Sequence, residues 1–422
     1  MTYASMIKEK KFAWGGRALG ARFPAHGAVS IVGSIVGGAR LATDETLAEI
    51  HADMLLEGTK KYDKKQIQII LDSIGASLSF SVVGDRLVFT GRVREESVEK
   101  LLALVAEALH APTFPEAELS ALKARTEAAL SLEAQDTRTQ AQTKLTRLLF
   151  THEHPNWEET TEESQSALAH ITRKKLQGYH ERAVDVSSLV ISIAGDIAPA
   201  RVFALTEKYF KSLPKPGLTL LPFEPAAPKL AAQSVTTIQE KASIDYMLGL
   251  ALGITKDHKD YPALLIGTNI LGNKRGFSGR LMKTVREEQG LTYGIYSYLS
   301  GLNAITDGMF VVWATFAPQL FAKGRAAIEK EVKKILTKGV TPLEVKKHRE
   351  MYAAAWNVQL STSGAIARAA HDAVVDGKAV SYLDQFPKQI LKVTPASVQK
   401  ALTTYVRLPY LSESAAGPID TL

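Results

Sequence analysis

Two stretches hold the residues whose types and spacing could do chemistry. The first is Leu47–Thr59, LAEIHADMLLEGT. Leu47, Ile50, Met54 and Leu55 recur at helical spacing and mark a core face. Glu49, Ala52, Asp53 and Leu56 share another stripe, and Gly58 ends the helix. Glu49 and Asp53 stand at i and i+4 and could hold a hard cation. Two carboxylates without further oxygen ligands make a weak site, so a solvated acidic face is the plainer reading. His51 points about 200° around the helix from Glu49 and reads as a polar surface or capping residue. The second stretch is Phe277–Tyr298, FSGRLMKTVREEQGLTYGIYSY. Arg280–Glu288 reads as a helix closed by Gly290, with a strand from about Tyr293. Arg286 and Tyr293 would supply a guanidinium and a phenol, fixed donors suited to carbonyl oxygens and developing oxyanions. Taken as two isolated residues, a structural ion pair for Arg286 and a core-edge ring for Tyr293 are the simpler account.

Other reactive side chains are less telling. His152 and His154 flank Glu153 in a polar run too short and flexible for a specific metal site, and they read as loop residues. His180 follows Tyr179 near a helix end, where a cation suits the dipole. No Ser, His and Asp form a recognisable nucleophile elbow. The run 272–276, Gly-Asn-Lys-Arg-Gly, lacks the spacing and the preceding strand of a phosphate-binding loop. The chain has no cysteine, which excludes disulfides, iron–sulfur clusters, thiolate zinc sites and a cysteine nucleophile.

The elements that must position these residues fall into two similar halves. Five prolines between Ser212 and Ala232 make an extended, semi-rigid segment near the middle of the chain. Before it, a strand at Leu87–Val93 leads to a helix at Glu95–Leu109, a break at Pro112–Pro115 and a long helix from Glu116. After it, a strand at Met309–Phe316 leads to a helix at Pro318–Leu336, a break at Gly339–Pro342 and a long helix from Leu343. Matching order suggests a duplicated domain. Strands pair as hairpins, Ser77–Val83 with Arg86–Val93 about Gly84-Asp85, and Tyr293–Leu299 with Met309–Phe316 about Asp307-Gly308. Hairpins with segregated helices indicate an α+β fold rather than a doubly wound one.

The 422 residues allow two or three domains, and 45% hydrophobic with 23% charged residues is ordinary for a globular chain. The net charge of +7 is spread as a lysine-rich surface without aromatic interleaving, so no nucleic-acid partner is expected. No apolar run reaches spanning length and none at the start reads as a signal peptide. The compartment expected is the cytoplasm, or the periplasm if a signal peptide has been removed.

The first stretch resembles the zinc-binding helix of the pitrilysin/insulinase family, the inverted zincins that include the mitochondrial processing peptidases. Their motif is His-x-x-Glu-His with a nearby Gly-Thr: two zinc ligands and a general base. Registered on Gly58-Thr59, Glu49 replaces the first His, Ala52 the Glu and Asp53 the second His. The third ligand, a Glu on a later helix (Glu116–Ala134 here), falls on Ala129 or Leu130. The second stretch resembles the same family's Ser-x-Arg-Leu…Arg…Gly-Leu-x-Tyr signature, in which an Arg and a Tyr bind the substrate backbone. Strand Val186–Ala194, Gly195-Asp196 and the helix running to Lys208-Tyr209-Phe210 resemble the close of a family first domain.

The resemblance implies two homologous domains, 1–211 with the degenerate motif helix at 45–57 and 235–422 with the Arg/Tyr motif, joined by a linker at 212–234. Each would be an antiparallel sheet with helices on one face, together forming a half-shell. It implies a non-catalytic subunit that grips peptide through Arg286 and Tyr293. A homologous partner would supply zinc in a heterodimer, this chain would bind no metal and catalyse nothing alone, and a homodimer could form in isolation. The alternative is a structural or peptide-binding homologue, like the core subunits of respiratory complexes, with no peptidase partner.

Overall fold

Alternation of apolar with small polar residues builds the hairpin of β4 (Ser77–Val83) and β5 (Arg86–Arg94), which turns at Gly84 with φ +55°. A computed structural model describes residues 2–422 except 43, 218, 219, 221, 222 and 274–277. Part of the 272–276 glycine-flanked run, Phe277 at the head of the second stretch, and Pro222 in the proline-rich segment therefore lie outside the described residues.

Eleven strands among the described residues form two sheets. The first contains β1 (Ile7–Lys11), β2 (Arg17–Arg22), β3 (Ala28–Val36), β4, β5 and β6 (Val190–Gly195), in the order β1-β2-β6-β3-β5-β4. The second contains β7 (Gln233–Thr237), β8 (Ile244–Ala251), β9 (Gly294–Ser300), β10 (Met309–Phe316) and β11 (Ser412–Gly417), in the order β7-β11-β8-β10-β9. Without β1, the two orders are the same permutation. In both, the last strand lies parallel to the first (β6 with β2, β11 with β7), and every other pairing is antiparallel. The one parallel pair per sheet is possible because the last strand returns after a long helical excursion, as a parallel crossover requires. A shared permutation of this kind is the structural trace of the duplication expected from the two halves.

Each half lays its own helices on one face of its sheet. In the first sheet Phe89 of β5 stacks with Phe210 of helix Pro199–Phe210, rings 6.3 Å apart. In the second, Tyr246 of β8 meets Phe321 at the start of helix Phe321–Lys338. The opposite faces are covered by equivalent helices drawn from the other half. Helix Ser363–Val375 packs Ile366, Ala367, Ala370 and Val374 on Leu19, Val32, Val190 and Ala194 of the first sheet. Helix Thr137–Leu149 packs Ala141, Leu145 and Leu149 on Met247, Ala251, Met309 and Val311 of the second. The two compact units are accordingly discontinuous. One comprises Met1–Ala128, Glu162–Pro222 and Trp356–Phe386; the other comprises Ala129–Thr161, Phe223–Ala355 and Pro387–Leu422.

The proline-rich segment is tied down on either side. Val186 N–H donates to Pro214 O and Gly217 N–H to Asp185 in the first unit. In the second, Ala226 N–H donates to Asp307 at 3.0 Å and Ala231 N–H to Pro409 O. Some expected boundaries shift. Residues 186–188 form a 3-10 turn, so the strand begins at Val190 rather than Val186. The second hairpin connection spans 301–308, longer than an Asp307-Gly308 turn, because Asp307 is buried and bonded elsewhere.

Candidate functional site

Helix Glu45–Met54 starts where Asp44 caps it, accepting from Leu47 N–H at 2.7 Å, and ends three residues short of the expected 57. Leu47, Ile50 and Met54 are buried as their spacing predicts. Glu49 and Asp53 are exposed, whereas Ala52, at the position of the family's general base, lies in the core at 2% exposure. Partial desolvation raises the Asp53 carboxyl, with Arg125 acting against this and Glu57 adding to it. Glu57 is held by Lys64 Nζ at 2.6 Å, with Arg125 at 3.9 Å, and Lys64 also binds Glu118 at 2.7 Å. Ala129 is exposed and Leu130 half-buried on helix Glu116–Glu133. This donor set does not fit zinc: it has no imidazole, the neighbouring Glu57 carboxylate is engaged by Lys64 and Arg125, and no described group of three His, Cys, Asp or Glu could hold a metal.

His51 corrects its surface or capping assignment, for it is fully buried. Its Nε2 lies 2.9 Å from His180 Nδ1, and its ring meets Tyr179 edge-on and Phe114 at a tilt. His180 is likewise a buried core residue rather than a helix-end cation. The sequence conceals this because a histidine paired with another histidine through one ring nitrogen each can enter a core as a neutral aromatic ring. Burial lowers both imidazoles. His51 is held well below 6.5, with His180 adding to the effect. His180 falls to about 4, the Leu109 backbone working the other way. Since the unfolded chain binds these protons first, stability is full above pH 6.5 and falls as pH drops towards 4. For His180 alone the loss should approach about 3 kcal/mol by pH 4. Urea unfolding of the native chain and of His180→Leu across pH 7 to 4 checks this: the native free energy should fall more steeply, and parallel curves would refute it.

The second stretch keeps the expected helix, Gly290 stop and strand, but the helix is of a different type. Arg280 and Leu281 begin a helix that widens into a π-helical segment, Met282–Glu287, in which Glu288 N–H reaches back to Lys283 O. Leu281, Met282 and Val285 anchor it in the core. Gly290, at φ +62°, ends it, and Thr292 fixes the entry to β9 by donating to Thr315 O at 2.5 Å. Arg286 and Tyr293 come together: the guanidinium carbon stands 5.0 Å from the ring centroid, and Nη1 meets Met282 Sδ at 3.4 Å. Tyr293 is 85% exposed, so it is not a core-edge ring. The arrangement offers two adjacent donors on a rigid base.

His154 lies in the loop between helices Thr137–Leu149 and Thr161–Ala169, as expected, but its side chain is not solvated. It is buried, donates from Nε2 to Asp307 at 2.9 Å, and accepts at Nδ1 from Asn156 N–H. His152 instead packs against Trp157. A serine–histidine–aspartate series also exists that no sequence motif announces. Ser34 Oγ lies 2.7 Å from His371 Nε2, and His371 Nδ1 lies 2.8 Å from Asp372. Arg86 Nε donates to the same Ser34 Oγ at 2.6 Å, so the hydroxyl proton goes to His371. Ser34 has no exposed surface, and the series fastens helix 363–375 to the sheet rather than offering a nucleophile.

The family described as "Insulinase (Peptidase family M16)" matches residues 26–162, and that described as "Peptidase M16 inactive domain" matches 170–352. The chain is 20% identical over 384 residues to the mitochondrial-processing peptidase subunit beta of Pongo abelii, covering 87% of this chain and 76% of that protein. It is 24% identical over 302 residues to the "Non-peptidase homolog YmxG" of Helicobacter pylori, covering 71% and 67%. A crystal structure of a peptidase M16 inactive domain from Pseudomonas fluorescens superposes with a TM-score of 0.88 at 23% identity, covering 98% and 99%. No helix among the described residues is long and apolar enough to cross a membrane.

Proposed function

The chain belongs to the M16 (insulinase) peptidase family without that family's zinc motif, and on this footing we propose that it is the substrate-binding subunit of a two-chain zinc peptidase. It would grip peptide carbonyls through Arg286 and Tyr293 while a homologous partner supplies zinc and the general base. One observation carries the reading: the donor pair is kept, with a half-buried Arg286 stacked on an exposed Tyr293, while Glu49, Ala52 and Asp53 hold neither the two imidazoles nor the base carboxylate of the motif. A folded core does not need an 85%-exposed tyrosine, whereas a binding surface does.

The test is reconstitution with a homologue bearing His-x-x-Glu-His from the same genome. Alone, the chain should bind no stoichiometric zinc and cleave no peptide; the pair should contain about one zinc and hydrolyse unstructured peptides. Stoichiometric zinc in the isolated chain would sink the reading. A second reading, a binding homologue without any peptidase partner, is favoured by the similarity to a protein named a non-peptidase homologue. It expects the two chains to assemble, if at all, without hydrolysis that depends on Arg286.

A further inference from the structure

The helix that carries Arg286 is wider than its sequence requires, and something must hold it so. A π-helical turn inserts one residue relative to an α-helix and loses packing along its axis, so it persists only where neighbours fix it. Relaxation to an α-helical register would swing Arg286 by roughly 100° about the axis. Three backbone bonds record the irregular path: Glu288 N–H to Lys283 O, Gly290 N–H to Arg286 O and Leu291 N–H to Val285 O.

The fixing contact lies at the first turn. Arg280 Nε and Nη2 donate to the two oxygens of Glu344 at 2.8 and 2.9 Å, and Nη2 also donates to Gly339 O at 2.8 Å. Glu344 is itself immobilised, since Oε2 accepts from Thr341 N–H and Oγ1 at the start of helix Pro342–Gln359. The Arg280 side chain is largely buried, so this fork is shielded from water and salt.

We propose that Arg280 is a positioning residue that, through its bidentate clamp on Glu344, fixes the π-helical turn and so sets Arg286 against Tyr293. Its consequence for peptide binding rests on the gripping role proposed above; the clamp itself does not. Desolvation would raise the Glu344 carboxyl, but the bonds from Arg280 and Thr341 outweigh it and hold the group at about 2, so the clamp stays ionised across the working range.

Two measurements on the full chain test this. Hydrogen–deuterium exchange of Arg280→Met should accelerate about tenfold at amides 283–291 and stay unchanged in the first sheet, with Arg280→Lys intermediate because it keeps charge but loses the fork. Unchanged exchange at 283–291, or acceleration spread over both sheets, would overturn the proposal. Glu344→Gln should reproduce the local acceleration if Arg280→Met does not fold. In the reconstituted pair, Arg280→Met should lower kcat/KM about tenfold on the native background and have no further effect on Arg286→Ala. Additive losses would show that Arg280 does not act through Arg286 and would overturn the positioning role. If Arg286→Ala is itself without effect, the gripping role fails and the exchange data alone judge the clamp.

Discussion

Arg286→Ala in the reconstituted pair is expected to lower kcat/KM about a hundredfold, the typical cost of removing one preorganised donor from a reacting carbonyl. Tyr293→Phe, which removes only the hydroxyl, should cost about tenfold or more. The test is clean because neither change should trouble the fold: Tyr293 is mostly solvated, and Arg286 stands at the edge of a segment anchored by Leu281, Met282 and Val285. Thermal midpoints of the isolated chain should therefore shift little while peptide turnover collapses. Kinetics that separate kcat from KM will show how the donors are used. A rise in KM alone means they hold the peptide equally before and during reaction; a fall in kcat means they act mainly on the transition state. Unchanged kcat/KM for both variants would leave the pair without a peptide grip in this chain.

His154→Ala is expected to have the largest effect on stability, about 3–5 kcal/mol, because it strips a donor from a buried carboxylate. Asp307 is 2% exposed and accepts from His154 Nε2 and from Ala226 N–H. The alanine would also remove a ring stacked 4.3 Å from Phe150 and edge-on to Phe223. His154→Gln keeps a donor near Nε2 and should recover part of the loss. Asp307→Asn should be nearly as damaging as His154→Ala, since its amide nitrogen must face either the imidazole N–H or the Ala226 N–H. Urea denaturation of the three variants checks the order. A change of less than about 1 kcal/mol for His154→Ala would mean that water or a rotated side chain replaces the lost donor.

Local pattern made some of this structure legible in advance. The alternation in 77–83 and the turn at Gly84-Asp85 specified the first hairpin, and the spacing of Leu47, Ile50 and Met54 gave the inner face of the motif helix. Matching strand–helix–helix order in the two halves anticipated the common sheet permutation. The loss of zinc ligands was readable because it is a matter of residue identity at fixed spacing. What stayed hidden depends on partners distant in sequence. The burial of His51, His154 and His180 shows only when His180, Asp307 and His51 are brought to them, and the Ser34–His371 contact joins residues 337 positions apart. The widened turn at Met282–Glu287 cannot be read from an ordinary amphipathic pattern, because Arg280 finds its counter-charge 64 positions later. The exchange of helices 137–149 and 363–375 left no local trace either. Both are amphipathic helices that could as well cover their own sheets.

That exchange governs the order in which the protein can be completed during synthesis. The last strand of the first sheet ends at Gly195, but the helix that covers its second face begins only at Ser363. At translation rates of about 5–20 residues per second, the nascent chain must carry Leu19, Val32, Val190 and Ala194 uncovered for on the order of ten seconds. An N-terminal half waiting that long with an apolar sheet face is a natural client for chaperones and a hazard for aggregation between neighbouring ribosomes. Completion of the first sheet is thus tied to synthesis of helix 363–375 rather than proceeding half by half.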